Sequence, residues 1–198
     1  MTNVNKPFGF ALSRSQNAEY SGVVKACFIP ATNSAKLYIG DAVQNSTGSN
    51  TTEFMGYKAG SLPIVAKASA SSAIDGVIIG FMPNGDTYLT GCLPASTAAV
   101  ALVIDNPLAK FNIQANGEFT AAMVDKDAKI SVSTAGNDYT GISGMSLDVS
   151  TVDVDPTLPL HICGIADYLS NDAGNYAVVE VMINHNFAAL ATKQDKES

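Results

Sequence analysis

Tryptophan is absent from this 198-residue chain, histidine occurs twice and cysteine three times. Each shortage closes a class of function. Three cysteines cannot all pair and none forms a CxxC, so the spacing encodes neither a disulfide framework nor a zinc ribbon. Cys27, Cys92 and Cys163 sit in the apolar stretches KACFIP, TGCLPA and LHICGI. There a thiol acts as a small apolar side chain, which suits synthesis in a reducing cytoplasm. His161 and Cys163 are two apart and share a face of a strand, with His185 a conceivable third donor. That falls short of the four ligands of structural zinc, so both histidines are expected to be buried or interface residues and no metal is assigned.

Charge is scarce as well. Charged residues make up 15% of the chain, against about 25% in a typical soluble domain. Serine and threonine outnumber them, giving a surface of small hydroxyl side chains that lose little entropy or hydration when a partner covers them. The net charge is −7 and the 11 basic residues are scattered, so no cationic stripe exists to displace counterions from nucleic acid. No apolar run approaches the roughly 20 residues of a membrane helix. The N-terminus MTNVNKPFGFALSRSQ lacks the apolar centre of a signal peptide. The sequons at Asn45 and Asn50 fall in a polar loop with nothing else pointing to secretion.

Short segments separated by turn chemistry fill most of the chain. Strands are expected near 22–29, 36–44, 62–68, 75–82, 98–104, 109–115, 129–134, 146–152, 159–167 and 176–184. Frequent Gly, Pro, Asn and Asp between them predict an all-β protein, an antiparallel sandwich or barrel of about ten short strands. In KFNIQANGEF, Phe111 and Ile113 face one way and Asn112 and Gln114 the other, and Asn116-Gly117 predicts a tight hairpin turn. In AVVEVMINH, Val179, Val181 and Ile183 share one face, and the other, Val178, Glu180 and Met182, is expected to be largely covered too. Three regions follow: an extended arm over 1–21, a β-rich domain over 22–186, and a flexible or short helical tail over 187–198. Residues 45–61 form a polar loop whose apolar tip, Phe54 and Met55, is held by a partner or by the domain itself.

No chemistry-bearing constellation emerges. IDGVIIGFMPNGD has neither dinucleotide nor P-loop spacing and no lysine. Gly76 and Gly80 bracket a β-branched run, as at bulges, and PNGD supplies a turn. GISGMS only loosely resembles a nucleophile elbow and lacks its strand and helix. Asp148, Asp153 and Asp155 have no EF-hand pattern and are expected in a solvated loop, with a weak cation site at a subunit seam the alternative. The chain is therefore expected to be no enzyme and to need no cofactor.

The arm carries the most unexplained information. Phe8 and Phe10 flank Gly9 after Pro7 and would project to one side of an extended chain. Apolar arms bury against something, either their own domain or a neighbour. In the second case Arg14 and Tyr20 are anchors of the types enriched at interfaces. Pro7, Phe8, Phe10, Arg14, Tyr20, Phe54 and Met55 are thus the candidate contact residues.

The order of segments is itself distinctive: NKPFGFALSRS, YSGVVKACFIPATNSAKLYIGDAV, PIVAKASASSAIDGVIIGFMPN, VALVIDNPLAKFNIQANG, TGISGMSLDVST and LHICGIADYLSNDAGNYAVVEVMINHN. Over residues 6–186 this resembles the capsid cement, or head decoration, proteins of tailed bacteriophages. The resemblance implies a β-rich virion protein on the outer surface of the capsid. Its partners are the major capsid protein and itself, with a homotrimer favoured over a homodimer. It clamps neighbouring capsid proteins against internal DNA pressure. The rival is a tail- or fibre-type module binding glycan, which the missing tryptophan and dispersed tyrosines disfavour.

Overall fold

The computed structural model describes residues 3–13, 24–84 and 92–184, and these are all-β, as expected. Arg14, Tyr20, His185 and the tail 187–198 lie outside the described residues, as do Gly85 and Asp86 of the PNGD turn.

The first half closes on itself. Strands β2 (Val24–Ile29), β3 (Ala42–Ser49), β4 (Pro63–Lys67), β5 (Gly76–Phe81) and β6 (Ala99–Ile104) form a barrel in the order β2-β4-β3-β5-β6. Its ladders are antiparallel except where β2 meets β4 in parallel, at Phe28 and Ile64. Closure leaves no free strand edge, and Ile29, Leu37, Val43, Ile78 and Leu93 fill the interior.

The second half is an open sheet. Strands β7 (Lys110–Gln114), β9 (Asp127–Ser131), β10 (Ser146–Asp153), β11 (Leu160–Ile165) and β13 (Val178–Ile183) are joined at one edge by β1 (Ala11–Leu12). The order is β1-β7-β13-β11-β9-β10, and β8 (Glu118–Phe119) pairs with β12 (Gly174–Asn175) nearby. The alternation seen in sequence holds here. Phe111 opposes Val181 and Ile113 opposes Val179, and all four are fully buried. One core runs through both halves, taking Ala42, Ile74, Val77 and Ile104 from the barrel and Phe111, Ile162 and Val181 from the sheet.

Several boundaries differ from expectation, each for a physical reason. The segment expected at 36–44 becomes a strand only at Ala42, because Gly40 adopts φ +87° and turns the chain there. Leu37 and Ile39 make only isolated bridges, to Leu93 and Ile142. Beyond Val43, β3 continues through the polar run QNSTGS, with a bulge between Ser46 and Ser49 where Gly48 has φ +115°. The first five residues of the expected loop, 45–49, are therefore barrel wall. The β9 segment starts two residues earlier than expected, at Asp127. Asn116-Gly117 makes no two-residue hairpin: β7 is already paired on both sides, by β13 and β1. Neither residue has a positive φ, and the Asn116 N–H donates to Leu147 O instead.

Of the two glycines of DGVIIGF only Gly80 lies at a bulge; Gly76 pairs in register with Val43 and serves a close approach instead. The β5–β6 register slips between Ile78 and Gly80, a bulge, and Gly76 lies so close to β6 that a Cβ would sit 2.5 Å from Val103 Cγ1 and 2.6 Å from Ile104 O. Gly76→Ala is expected to cost about 1–3 kcal/mol by overpacking. It should be read as a lowered denaturant midpoint at unchanged m-value.

Candidate functional site

The arm is stitched into the domain along its length. Gly9 N–H donates to Met145 O at 3.1 Å, Phe10 N–H to Gly40 O at 2.9 Å, and Ser13 N–H to Lys110 O at 2.9 Å. Gln114 grips the start of the arm from the outer face of the sheet. Its Oε1 accepts from Lys6 N–H at 2.8 Å and its Nε2 donates to Val4 O at 2.9 Å.

Phe8 and Phe10 do not lie on an extended run. Gly9 between them takes φ +69°, and a Cβ there would collide with Gly40 O and stand 2.5 Å from Ser143 Cβ. That left-handed step, which glycine alone takes readily, drives Phe10 into the domain's own core. Its ring meets Phe111 edge-on at 5.9 Å and it is 4% exposed. Phe8 stays half-buried. With Pro7 it lines an open groove of about 530 Å³, whose other wall is Thr134, Ala135, Thr140 and Ile142. Ile39 and Ile142 bridge each other and are both partly exposed, and Tyr139, between two groove residues, is fully exposed.

Beneath this groove lies a polar knot that the sequence does not announce. Asp41 is completely buried. Its Oδ1 accepts from Ser143 Oγ at 2.6 Å, and its Oδ2 accepts from Tyr38 N–H and from Lys67 Nζ, both at 3.0 Å. The Lys67 ammonium also stands 5.4 Å from the Tyr38 ring centroid. Ser143 is the serine of GISGMS. It is 1% exposed, its proton is committed to Asp41, and its oxygen accepts from Met145 N–H. It is a strut between the sheet half and the barrel, unavailable as a nucleophile.

Tyr38 OH and Lys36 Nζ each donate to Asp138, both at 2.7 Å. Lys36 first, then Tyr38, holds the Asp138 carboxyl below its ordinary range, while burial chiefly pushes the Tyr38 hydroxyl up. Burial also raises all three thiols, Cys27 to about 11 from an ordinary 9.0. Between those values the unfolded chain loses its Cys27 proton before the folded one does, so stability falls as pH rises from 9.0 to about 11. At pH 8 a disulfide reagent is expected to react with the folded protein at least about tenfold more slowly than with the unfolded chain. Equal rates would contradict the burial.

Phe54 packs on its own barrel, and Met55 beside it is half-buried with φ +50°. The Phe54 ring lies 5.1 Å from Phe28, edge-on, and both residues are half-buried. Buried Asn50 closes this loop, donating to Thr52 O and Lys58 O and accepting from Leu62 N–H. Asp148 and Asp153 lie in strand β10 rather than in the expected loop, and only Asp155 follows it. The three carboxylates accept nearby hydrogen bonds from Ser150, Val154 and Thr157, and Asp148 also takes one from Asn116 Nδ2 at 3.3 Å. Among the described residues no three His, Cys, Asp or Glu side chains are placed to hold a metal ion.

His161 belongs to a second site. The register across β7, β13, β11 and β9 sets Lys110, Met182, His161 and Asp127 in one row. Residues opposite each other in such ladders share a face. His161 Nδ1 is 3.1 Å from Asp127 Oδ1 and its Nε2 is 3.5 Å from Asp125 Oδ1. Asn184 Nδ2 donates to the same Asp127 Oδ1 at 2.8 Å. Asp127, His161 and Asn184 line a cleft of about 500 Å³ together with Pro107, Leu108, Pro156, Met182 and Ile183, and Asp125 reaches His161 from outside that lining. Cys163 does not join it, because a bulge between Ile162 and Gly164 shifts the register just beyond His161.

No protein-family model, curated protein or solved structure matches this chain. Among the described residues no helix is long and apolar enough to cross a membrane.

Proposed function

We propose that this chain is a structural protein of a tailed-phage head, binding outside the shell and clamping neighbouring major capsid proteins against the pressure of packaged DNA. The observation that carries this reading is the dispersal of large apolar side chains over the surface of a protein with a filled core. Tyr139 and Leu169 are 100% exposed, Val154 76%, Val4 65% and Leu108 59%. Single exposed apolar residues are ordinary on any protein. Here five occupy five separate segments, and two are fully exposed. Tyrosine is an enriched interface residue, and contacts spread over several faces let one molecule grip several neighbours, each later contact being effectively intramolecular.

The groove lined by Pro7 and Phe8 adds a concave apolar receptor beside Tyr139. The acidic balance suits a station outside the shell rather than on DNA, and the resemblance in segment order supplies the capsid as partner. The assembly favoured is a homotrimer.

Purified protein is expected to co-sediment saturably with shells of the phage that encodes it. The double variant Tyr139→Ser, Leu169→Ser should weaken attachment by about tenfold or more. Its unfolding midpoint should be unchanged, since neither side chain is buried. Absence of co-sedimentation at micromolar protein would overturn the proposal.

A further inference from the structure

The cleft at His161 contains an imbalance of charge and hydrogen bonding. Two carboxylates, Asp127 and Asp125, face one imidazole, which offsets at most one negative charge. A neutral imidazole has a single N–H to give. Asp127 is 8% exposed, and both of its side-chain partners, His161 and Asn184, reach the same oxygen, Oδ1. Its other oxygen, Oδ2, takes no hydrogen bond from any described side chain.

No described lysine answers these charges. Lys110, in the same row of the sheet, lies beyond Met182 and pairs with Glu180 at 3.1 Å. Lys126 stands between the two aspartates in sequence, yet neither carboxylate pairs with it or with any other described lysine. The Asp127 side chain is 12% exposed, so its open oxygen meets water beside an apolar cleft, and an organic cation that displaces that water gains a charge-assisted hydrogen bond as well as apolar contact.

We propose that this cleft is a binding site for a primary alkylammonium group. The ammonium sits against Asp127 Oδ2 with Asp125 closing from solvent, where the Asp125 side chain is 92% exposed. The alkyl chain lies along Leu108, Pro156 and Met182. Ammonium fits because its compact charge and three donors serve one open oxygen, one exposed carboxylate and water, whereas guanidinium is built for a two-oxygen fork. The apolar walls select an organic cation over an inorganic one. The same group is carried by free aliphatic amines and by lysine side chains.

The test is calorimetric and NMR titration of the full chain with n-butylammonium, against n-butanol and butyrate of matched length. Saturable binding at about millimolar concentration is expected for so small a ligand, with the His161 imidazole signals moving as the site fills. Butanol and butyrate should not saturate. Asp127→Asn should weaken butylammonium at least about tenfold. Leu108→Ser, at an exposed wall position that does not support the fold, should weaken it about threefold or more. A titration with Nα-acetyl-lysine amide separates the sources. Binding equal to that of butylammonium assigns the site to a lysine side chain, and binding of butylammonium alone assigns it to a free amine. Equal response to butanol and butylammonium, or no saturation in the unsubstituted protein, overturns the proposal.

Discussion

Phe10→Ala is expected to destabilise the protein by about 3–5 kcal/mol, the range for truncating a buried aromatic ring. That is a large share of the roughly 5–15 kcal/mol that holds a domain folded. The ring fills a place in the main core against Phe111 and is 4% exposed. Its backbone closes the seam with Gly40, and the next two residues form the edge strand β1 on β7. Removing residues 1–12 should therefore lower the unfolding midpoint at least as far as Phe10→Ala does. The sequence leaves open whether this arm docks at home or in a neighbour, and for Phe10 the domain's own core is the answer. Phe8→Ser offers the contrast. With its ring half-buried at the groove, it should cost under about 1.5 kcal/mol while weakening attachment to shells. Chemical denaturation of the three variants checks the order, and a Phe10→Ala midpoint near the unsubstituted value would contradict the packing.

Asp41→Ala is the second large effect, also expected at about 3–5 kcal/mol. The substitution strands three groups at once: the Lys67 ammonium, the Ser143 hydroxyl and the Tyr38 N–H. Lys67 keeps some contact with water, its side chain being 24% exposed, so the buried hydroxyl and amide carry much of the penalty. The double variant Asp41→Asn, Lys67→Met should be milder than Asp41→Ala, because it removes the orphaned charge and keeps an acceptor for Ser143. A double-mutant cycle on Asp41 and Ser143 should show coupling of about 1 kcal/mol or more. Strict additivity would mean that the 2.6 Å contact between the two halves contributes nothing.

Local pattern carried the all-β class and most strand positions. Phe111 and Ile113 alternate with Asn112 and Gln114, and Val179, Val181 and Ile183 repeat every second residue, so burial on one face could be read directly. Asn112 and Gln114 still surprised: they face away from the core yet are 3% and 4% exposed. Arm residues lie against Gln114 and the Tyr168 hydroxyl reaches Asn112. Which strands meet was not legible. The parallel contact of β2 with β4 and the division into barrel and sheet are set by tertiary packing between distant segments. The same limit hid the sites. His161 could be singled out, but Asp127 becomes its partner only through the β9–β11 register. Asp41 sits in GDAV with no local hint that Lys67 and Ser143 converge on it. Gly9 was visible as a glycine between two aromatics, yet its left-handed turn depends on the close approach of Gly40 and Ser143.

The central claim, the proposed place of this chain on a phage head, is tested most directly by electron cryo-microscopy of intact virus particles that carry it. The account predicts density for the five-stranded barrel and its attached sheet on the outer surface of the head, repeated across seams between capsid subunits. The face bearing Pro7, Phe8 and Tyr139 should meet a neighbour. Heads bare of this density, or the same fold found only on tail fibres, would contradict it.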